Sequence, residues 1–192
     1  MSSQADILNL AVQKLSNAAG GITLSDTSSA ARALSLCYEA VRRAELRKHP
    51  WNFAKRPVRL AALTSIPPFT FGHEFAFPAD CLRLVEVVGV DKYELAHNGT
   101  IRVIMCDESS IDVWYIFNNE DPAQFDPMFI HVFAGALALQ IAPSLTEMSA
   151  AMLDQLGKWY KSDSDAAKMV DATENPPITF DDGSWAQARS NV

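Results

Sequence analysis

The chain has 192 residues, of which 48% are hydrophobic and 20% are charged, and its net charge is −7 at pH 7. This length fits one domain, or one domain with a sizeable insertion, and the apolar content argues against a chain disordered throughout. No apolar run approaches the roughly 20 residues needed to span a bilayer, and the N-terminus lacks the features of a signal peptide. We therefore expect a soluble protein that is made in a cytoplasm.

Charge is unevenly distributed along the chain. Residues 32–59 contain eight basic and two acidic side chains, whereas residues 107–192 contain fourteen acidic and four basic ones. Such a split suits contact between copies of one chain, a basic surface against an acidic surface. Solvated faces would give the same composition, so composition alone leaves both interpretations open.

Two amphipathic helices are predicted in the N-terminal part. In residues 4–17, apolar side chains recur at spacings of three and four; they are Ala5, Leu8, Val12 and Leu15. A second helix of about twenty residues begins near Asp26 and ends before Pro50. Its expected buried face comprises Leu34, Cys37, Tyr38, Val41 and Ala44. Its opposite face carries Arg32, Arg43 and Arg47.

The apolar period changes to two after Trp51, which predicts one small antiparallel sheet over residues 57–117. The alternating aromatic residues predict a strand between Pro68 and Pro78; they are Phe69, Phe71, Phe75 and Phe77. Residues 81–90 are predicted to form a largely buried strand. Asn98-Gly99 predicts a hairpin turn between residues 92–96 and 101–105.

A helical period returns after the sheet. Asp126-Pro127 starts a third helix, which should be buried on most sides because residues 128–142 are almost wholly apolar. A fourth helix is predicted from Thr146 to Ala172, with Met148, Met152, Leu156, Ala167 and either Trp159 or Tyr160 as its apolar positions. The expected fold class is α+β, a bundle of about four helices with an inserted small antiparallel β-sheet and an extended C-terminal tail. Its expected parts are a helical domain (1–56 and 118–172), an inserted β-domain (57–117) and the tail (173–192).

No arrangement of residues predicts catalysis, a cofactor site or a metal site. The four histidines lie on different predicted elements without metal-ligand spacing, and there is no phosphate-binding loop or nucleophile motif. His131 is expected to be a core histidine and His97 a solvated turn residue. Cys37, Cys81 and Cys106 are expected to be buried free thiols, and a pairing of Cys81 with His73 has no support.

Five short segments occur in order along the chain. Gly-Ile-Thr-Leu (21–24) precedes the second helix, Tyr-Glu-Ala-Val-Arg-Arg (38–43) lies in its second half, and His-Pro-Trp-Asn-Phe-Ala (49–54) follows it. Phe-Ala-Phe-Pro-Ala-Asp-Cys-Leu-Arg-Leu (75–84) enters a strand, and Phe-Asp-Pro-Met-Phe (125–129) starts the third helix. Together these segments resemble the tail tubular protein A family, the head-to-tail adaptors of short-tailed phages, over residues 5–172. Residues 173–192 do not match the family pattern.

The resemblance implies a structural virion protein of the tail and neck, without enzymatic activity. Family members form a ring of about twelve copies between the portal protein and the tail nozzle, continue the DNA channel and can carry tail fibres. The matching positions are expected to be structural, with Trp51 and Phe53 turned inward. They are Pro50, Trp51, Phe53, Pro78, Asp80, Leu82, Phe125, Pro127 and Phe129.

Two surfaces are candidates for contact with partners. Arg32, Arg43 and Arg47 are candidates for a subunit interface, and the apolar tail residues Ile178, Phe180 and Trp185 for contact with the portal or a neighbour. A disordered tail is the alternative. Genomic DNA should pass through the channel without sequence-specific binding. A DNA-binding packaging or regulatory protein that uses the arginine face, and an enzyme with an unrecognised site, are the rival function classes.

Overall fold

The computed structural model of the protein describes residues 2–18, 27–144 and 149–174. The described helices are α1 (Gln4–Ala18), α2 (Thr27–Lys48), α3 (Pro127–Ile141) and α4 (Ala150–Glu174). The strands are β1 (Lys55–Ala61), β2 (His73–Ala76), β3 (Cys81–Val88), β4 (Glu94–His97), β5 (Arg102–Cys106) and β6 (Ser110–Phe117). This is the predicted α+β order, with the strands inserted between α2 and α3.

Helix α3 is the centre of the helical region. Its first turn is fixed by Asp126, whose side chain accepts hydrogen bonds from the backbone N–H groups of Met128 (2.7 Å) and Phe129 (3.2 Å), while Pro127 occupies the first helical position. Helices α1, α2 and α4 pack around it, and the prediction of burial on most sides is confirmed. The expectation that His131 is a core histidine is wrong, because its side chain lies on the exposed side of α3.

The segment Pro127–Ser144 is also more apolar than the sequence analysis recognised. It extends α3 by a 3₁₀ turn, and its 18 residues have a mean hydropathy of 1.4, so by length and composition it is apolar enough to cross a membrane. Of this segment, 56% is buried inside the fold. Core helices that are covered on several sides have the same composition, and the packing of α3 accounts for it.

Helices α1 and α2 differ from their predicted faces in detail. The buried line of α1 runs through Ile7, Ala11 and Leu15, whereas Ala5 is exposed and the predicted Leu8 and Val12 lie at the margin of the face. The spacing of apolar residues did not distinguish the buried line from the neighbouring one, because residues one position apart fit the helical period almost equally well.

In α2, Leu34, Tyr38 and Val41 are buried as predicted and Cys37 is half-buried. Ala44 is exposed, because it borders a surface cleft between α2, α3 and α4.

The strands form two sheets and not the single predicted one. The first sheet has the order β1-β6-β3 and the second has the order β2-β5-β4, with all neighbours antiparallel. Their facing sides share a small core that includes Phe75 and Ile104 from the second sheet and Ile111 and Val113 from the first. Alternation reveals which side of a strand is apolar, but it does not reveal which strands pair, so the division into two sheets left no signal in the sequence.

Two predicted strands are shorter or more exposed than expected. The aromatic strand begins only at His73, because Pro67-Pro68 and the left-handed backbone of Thr70 (φ +82°) keep the preceding residues out of the sheet. Phe69 is consequently exposed. Strand β3 is an edge strand with two bulges, so its side chains are mostly half-buried or exposed and only Leu82 and Val87 are buried. The predicted hairpin forms between β4 and β5, where Gly99 has a φ of +93°.

Helix α4 closes the helical core from one side. Leu156 and Ala167 are buried as predicted, and Tyr160, not Trp159, faces inward. A Cβ on Gly135 of α3 would lie 3.4 Å from the Tyr160 ring, so a glycine there allows the two helices to approach closely. The predicted first residues of this helix, Thr146 and Met148, lie outside the described residues.

Candidate functional site

The aromatic residues of the resemblance meet where the helices join the first sheet. Trp51 is only 2% exposed, and its indole N–H donates to the carbonyl of Glu45 at 3.1 Å. Ring centroids are 5.2 Å apart for Trp51 and Phe129, 5.0 Å for Phe53 and Phe129, and 5.9 Å for Phe53 and Phe125. Segments far apart in the sequence therefore form one aromatic cluster, and Trp51 turns inward as predicted.

The Pro-Ala-Asp-Cys-Leu segment contacts the same junction from the sheet. The Asp80 carboxylate accepts hydrogen bonds from the Tyr115 hydroxyl at 3.1 Å and from the Arg56 guanidinium at 3.2 Å. The Leu82 side chain is buried in the helical core, and its carbonyl accepts a hydrogen bond from the Arg47 guanidinium. Pro78 closes the turn that enters the strand, with its carbonyl accepting from Cys81 N at 3.0 Å.

Arg42 is an important residue of this junction that the sequence analysis included only as part of the two-basic end of the second helix, without predicting its burial. Its side chain is completely buried and donates to the carbonyl of Asn119, to the side-chain oxygen of Asn118 at 3.2 Å and to Glu39. Arg42 therefore ties α2 to the turn that follows β6. A signal existed, because Arg42 is four residues from the buried Tyr38 and thus on the same side of the helix.

Glu45 is a second buried charged group on α2. Its carboxylate accepts hydrogen bonds from the Tyr160 hydroxyl at 3.0 and 3.2 Å and from Lys48. Burial raises the pKa of Tyr160, which stays a neutral donor at neutral pH. This arrangement links α2 to α4, and the neighbouring cleft has a volume of about 360 Å³.

The end of α4 is held at the junction by Asp171. Its carboxylate contacts His49 Nε2 at 2.8 Å and accepts a hydrogen bond from the backbone N–H of Asn52 at 2.9 Å. The Asn52 side chain also donates to the Asp171 carbonyl at 2.7 Å. Glu174, the last residue of α4, accepts a hydrogen bond from the same Asn52 side chain at 3.5 Å, so this end of α4 lies beside the point where α2 passes into the sheet.

The three predicted interface arginines are all exposed on α2. Arg47 bonds to the sheet through the Leu82 carbonyl and so has a role inside the chain. Arg32 and Arg43 make no ion pair with any described residue, and Leu36, which is 83% exposed, lies between them. The other candidate contact residues, Ile178, Phe180 and Trp185, lie outside the described residues.

No protein-family model matches the chain, and no curated protein matches it.

The described residues offer little for catalysis. Among them, no three His, Cys, Asp or Glu side chains are grouped to hold a metal ion. Burial raises the pKa of Cys37, Cys81 and Cys106, which disfavours the thiolate form needed for nucleophilic attack. Only Cys106 is fully buried, and the other two are half-buried. His73 lies opposite Cys106 in the sheet, not beside Cys81.

Proposed function

We propose that this chain is a structural head-to-tail adaptor of a short-tailed phage. In this proposal several copies, about twelve by the resemblance, form a ring between the portal protein and the tail nozzle. The ring continues the channel through which genomic DNA passes without sequence-specific binding, and it can carry tail fibres. The protein acts in the virion tail and neck, after assembly in the host cytoplasm, and performs no catalytic step.

One observation carries this proposal: the motif segments that define the resemblance meet at one junction. Trp51 and Phe53 contact Phe125 and Phe129, while Leu82 enters the same core. A chance resemblance in scattered short segments gives no reason for their residues to be in contact. Their convergence supports the interpretation that they form one structural unit.

The surface chemistry agrees with a protein that works by assembly. Arg32 and Arg43 project from α2 without ion pairs among the described residues, and an apolar side chain lies between them. Unneutralised charge beside exposed apolar surface is typical of surfaces that contact other proteins. Most carboxylates of the β-region (residues 55–117) are exposed, and an acidic surface suits a ring through which DNA slides without sticking.

The test is an electron-microscopy experiment with negatively stained particles of the protein mixed with the portal protein of the same phage. We expect rings of the adaptor stacked on one end of the portal ring, with the rotational symmetry of the portal. The portal protein alone and the adaptor alone are the controls. Portal rings that remain bare at a large excess of adaptor would contradict the proposal.

A truncated chain tests the predicted contribution of the tail. The protein ending at Glu174 lacks Ile178, Phe180 and Trp185 but keeps all of α4. We expect an unchanged melting curve, because none of the described contacts is removed, together with weakened portal binding. Wild-type affinity of the truncated protein for the portal would assign the docking surface to the folded part.

The rival function, a DNA-binding packaging or regulatory protein, rests on the unpaired Arg32 and Arg43. After α2 the chain enters a 3₁₀ turn and then a strand, so the second helix of a helix-turn-helix motif is absent from this part of the described chain. Selection from a random DNA pool distinguishes the two functions. An adaptor should bind duplex DNA weakly and without a preferred site, whereas one enriched sequence motif would favour the regulatory function.

A further inference from the structure

A groove of about 820 Å³ lies on the second sheet, on the face that is turned away from the first sheet. Its floor includes a row across three strands, in which Met105 of β5 lies opposite Glu74 of β2 and opposite Glu94 of β4. The loop before β2 forms one wall with Ile66 and Phe69. The groove is therefore built from an apolar floor with a carboxylate on each side.

The two carboxylates of the groove have no cationic partner among the described residues. Glu74 is buried and accepts hydrogen bonds from the Ser65 hydroxyl and, at 3.2 Å, from the Asn98 side chain, both neutral groups. Glu94 is exposed, and no lysine or arginine lines the groove. His97 is the one basic side chain among the described residues of the lining, and its Nδ1 accepts a hydrogen bond from the backbone N–H of Gly99 at 3.1 Å. A buried carboxylate is costly without a countercharge, so the groove favours a ligand that brings a cation.

The wall of the groove is apolar and exposed. Ile66 and Phe69 are 79% and 77% exposed, in a chain whose helices bury most of their large apolar residues. Thr70, directly after Phe69, has a φ of +82°, which is a strained conformation for a β-branched residue. The loop thus holds Phe69 outward, toward a surface that a partner would cover.

Helix α2 presents a surface with the complementary chemistry. Arg32, Leu36 and Arg43 lie on one stripe of the helix, because they are four and seven residues apart. Leu36 is the most exposed large apolar side chain among the described residues, and the two arginines lack ion pairs there. We call this the α2 stripe. It offers one apolar side chain flanked by two cations, and the groove offers an apolar floor flanked by two carboxylates.

The α2 stripe and the groove of one chain are built on different layers of the fold. Helix α2 is attached to the first sheet through the Arg47–Leu82 hydrogen bond, whereas the groove lies on the far face of the second sheet. We propose that the α2 stripe of one copy docks in the groove of another, with Leu36 against the Phe69 wall and the arginines facing Glu74 and Glu94. Such a contact joins two different surfaces, so it propagates from copy to copy and can close into a ring. This inference deepens the proposed function, since it assigns the contact between ring subunits.

The experiment uses two full-length variants, each with one broken surface, and no portal protein. Leu36→Asp removes the apolar side chain of the α2 stripe, and Phe69→Asp places a third carboxylate at the groove. Sedimentation velocity should show wild-type protein forming species larger than a dimer as concentration rises, while each variant alone stays monomeric. An equimolar mixture of the variants should stop at a one-to-one heterodimer, because it contains one intact stripe and one intact groove.

Charge reversal tests the pairing of the two surfaces. The double variant Arg32→Glu/Arg43→Glu should associate with a wild-type groove at least about tenfold more weakly, the factor that corresponds to ~1.4 kcal/mol. Part of the lost association should return when the groove carries Glu94→Arg, because one charge pair is restored while Glu74 still faces an introduced glutamate. The matched controls are Met169→Asp, which changes an exposed apolar residue on α4, and Lys161→Glu, which reverses an exposed charge there; both should associate as wild type.

Several outcomes would overturn the inference. They are monomeric wild-type protein at all concentrations, unimpaired association of either single variant, and a mixture of variants that forms larger species or none. Stacking on the portal is measured separately, so each proposal can fail alone. Portal rings that still recruit adaptors carrying Leu36→Asp as complete rings would leave the proposed function intact and assign the subunit contact elsewhere.

Discussion

The helical region and the β-region differ in how much of their apolar surface is buried. Around α3 the helices bury or half-bury most of their large apolar side chains in one continuous core. Among the described residues of the helices, Leu36, Trp159, Met169 and Val170 remain exposed. The two sheets share a much smaller core. Among the described residues, six of the ten exposed large apolar side chains lie between Ile66 and Ile101.

The difference indicates that buried apolar residues and exposed apolar residues have different roles in this chain. The buried apolar residues of the helices stabilise the fold, because they are removed from water when the chain folds. The exposed ones, on the loops and edges of the sheets and at Leu36 of α2, stay in contact with water in the single chain and add to the surface that a partner can cover. Four substitutions test this comparison, beginning with the largest expected effect.

Trp51→Ala should have the largest effect, because Trp51 belongs to the helical core although it follows α2 in a connecting turn. We expect the free energy of unfolding to fall by about 3–5 kcal/mol, as it does when a buried aromatic residue is truncated. Chemical denaturation followed by circular dichroism measures the change. An unchanged denaturation midpoint would mean that the junction cluster does not hold the helices and the sheet together.

Arg42→Ala should cost ~3 kcal/mol, because it leaves the buried carbonyl of Asn119 without its donor and opens a cavity. The neighbouring Arg43→Ala is the matched control, since Arg43 is exposed and makes no ion pair in the described part of the chain. The control should change stability by less than about 0.5 kcal/mol. Equal effects of the two substitutions would show that the buried network of Arg42 contributes nothing.

Tyr38 should make the fold sensitive to alkaline pH. Burial raises the pKa of Tyr38 from 10.0 to about 12, so the folded state favours the neutral phenol. This contribution is fully present below pH 10 and is lost as pH rises from 10 toward 12, where the unfolded chain releases the proton first. Over that interval the loss should reach ~3 kcal/mol at most.

Tyr38→Phe isolates that contribution from those of the other tyrosines. The Tyr38 hydroxyl has no hydrogen-bond partner among the described residues, so removing it should leave stability at pH 7 unchanged or slightly higher. Unfolding curves at pH 7, 10 and 11 for the two proteins give the comparison. A variant that loses stability above pH 10 as steeply as the wild type would assign the alkaline sensitivity to other groups.

Phe69→Ala should have the smallest effect on stability, below about 0.5 kcal/mol, because Phe69 is exposed on its loop. Phe75→Ala is the internal comparison: Phe75 has the same side chain but lies fully buried between the sheets, and its truncation should cost about 3–5 kcal/mol. Thermal melting of both variants measures the contrast. Similar losses would mean that the loop before β2 is part of the core of the β-region.

The sequence predicted the helices and strands better than it predicted which strands pair with each other. The bounds of α2 and α3 followed from local signals, namely Pro50 after α2 and the Asp126-Pro127 start of α3, and the structure confirms both. The division of the strands into two sheets depends on pairing between distant segments, which alternation does not encode. His131 was assigned to the core because its neighbours are apolar, yet it lies on the exposed side of α3.

The junction was predicted more fully than the surfaces. Large aromatic residues beside prolines mark places where a chain turns inward, so Trp51 and Phe53 could be found from sequence. Arg42 could not be separated from Arg43 by charge alone, because burial depends on which side of α2 faces the turn after β6. The groove could not be predicted from the sequence, because Glu74, Glu94 and Phe69 come together only through strand pairing and through a loop with a left-handed residue, Thr70.

The strand that enters the β-region pairs with the strand that leaves it, with Lys55 opposite Ile116. The two points of attachment are therefore only about 5 Å apart. The chain therefore leaves the helical region and returns to it at neighbouring positions, whatever the number of residues in the β-region between them. Because the entropy of loop closure grows slowly with loop length, we expect residues gained or lost in the hairpin between β4 and β5 to have little effect on how α2 and α3 meet. A scaffold of this kind can exchange its outer surface while it keeps its core.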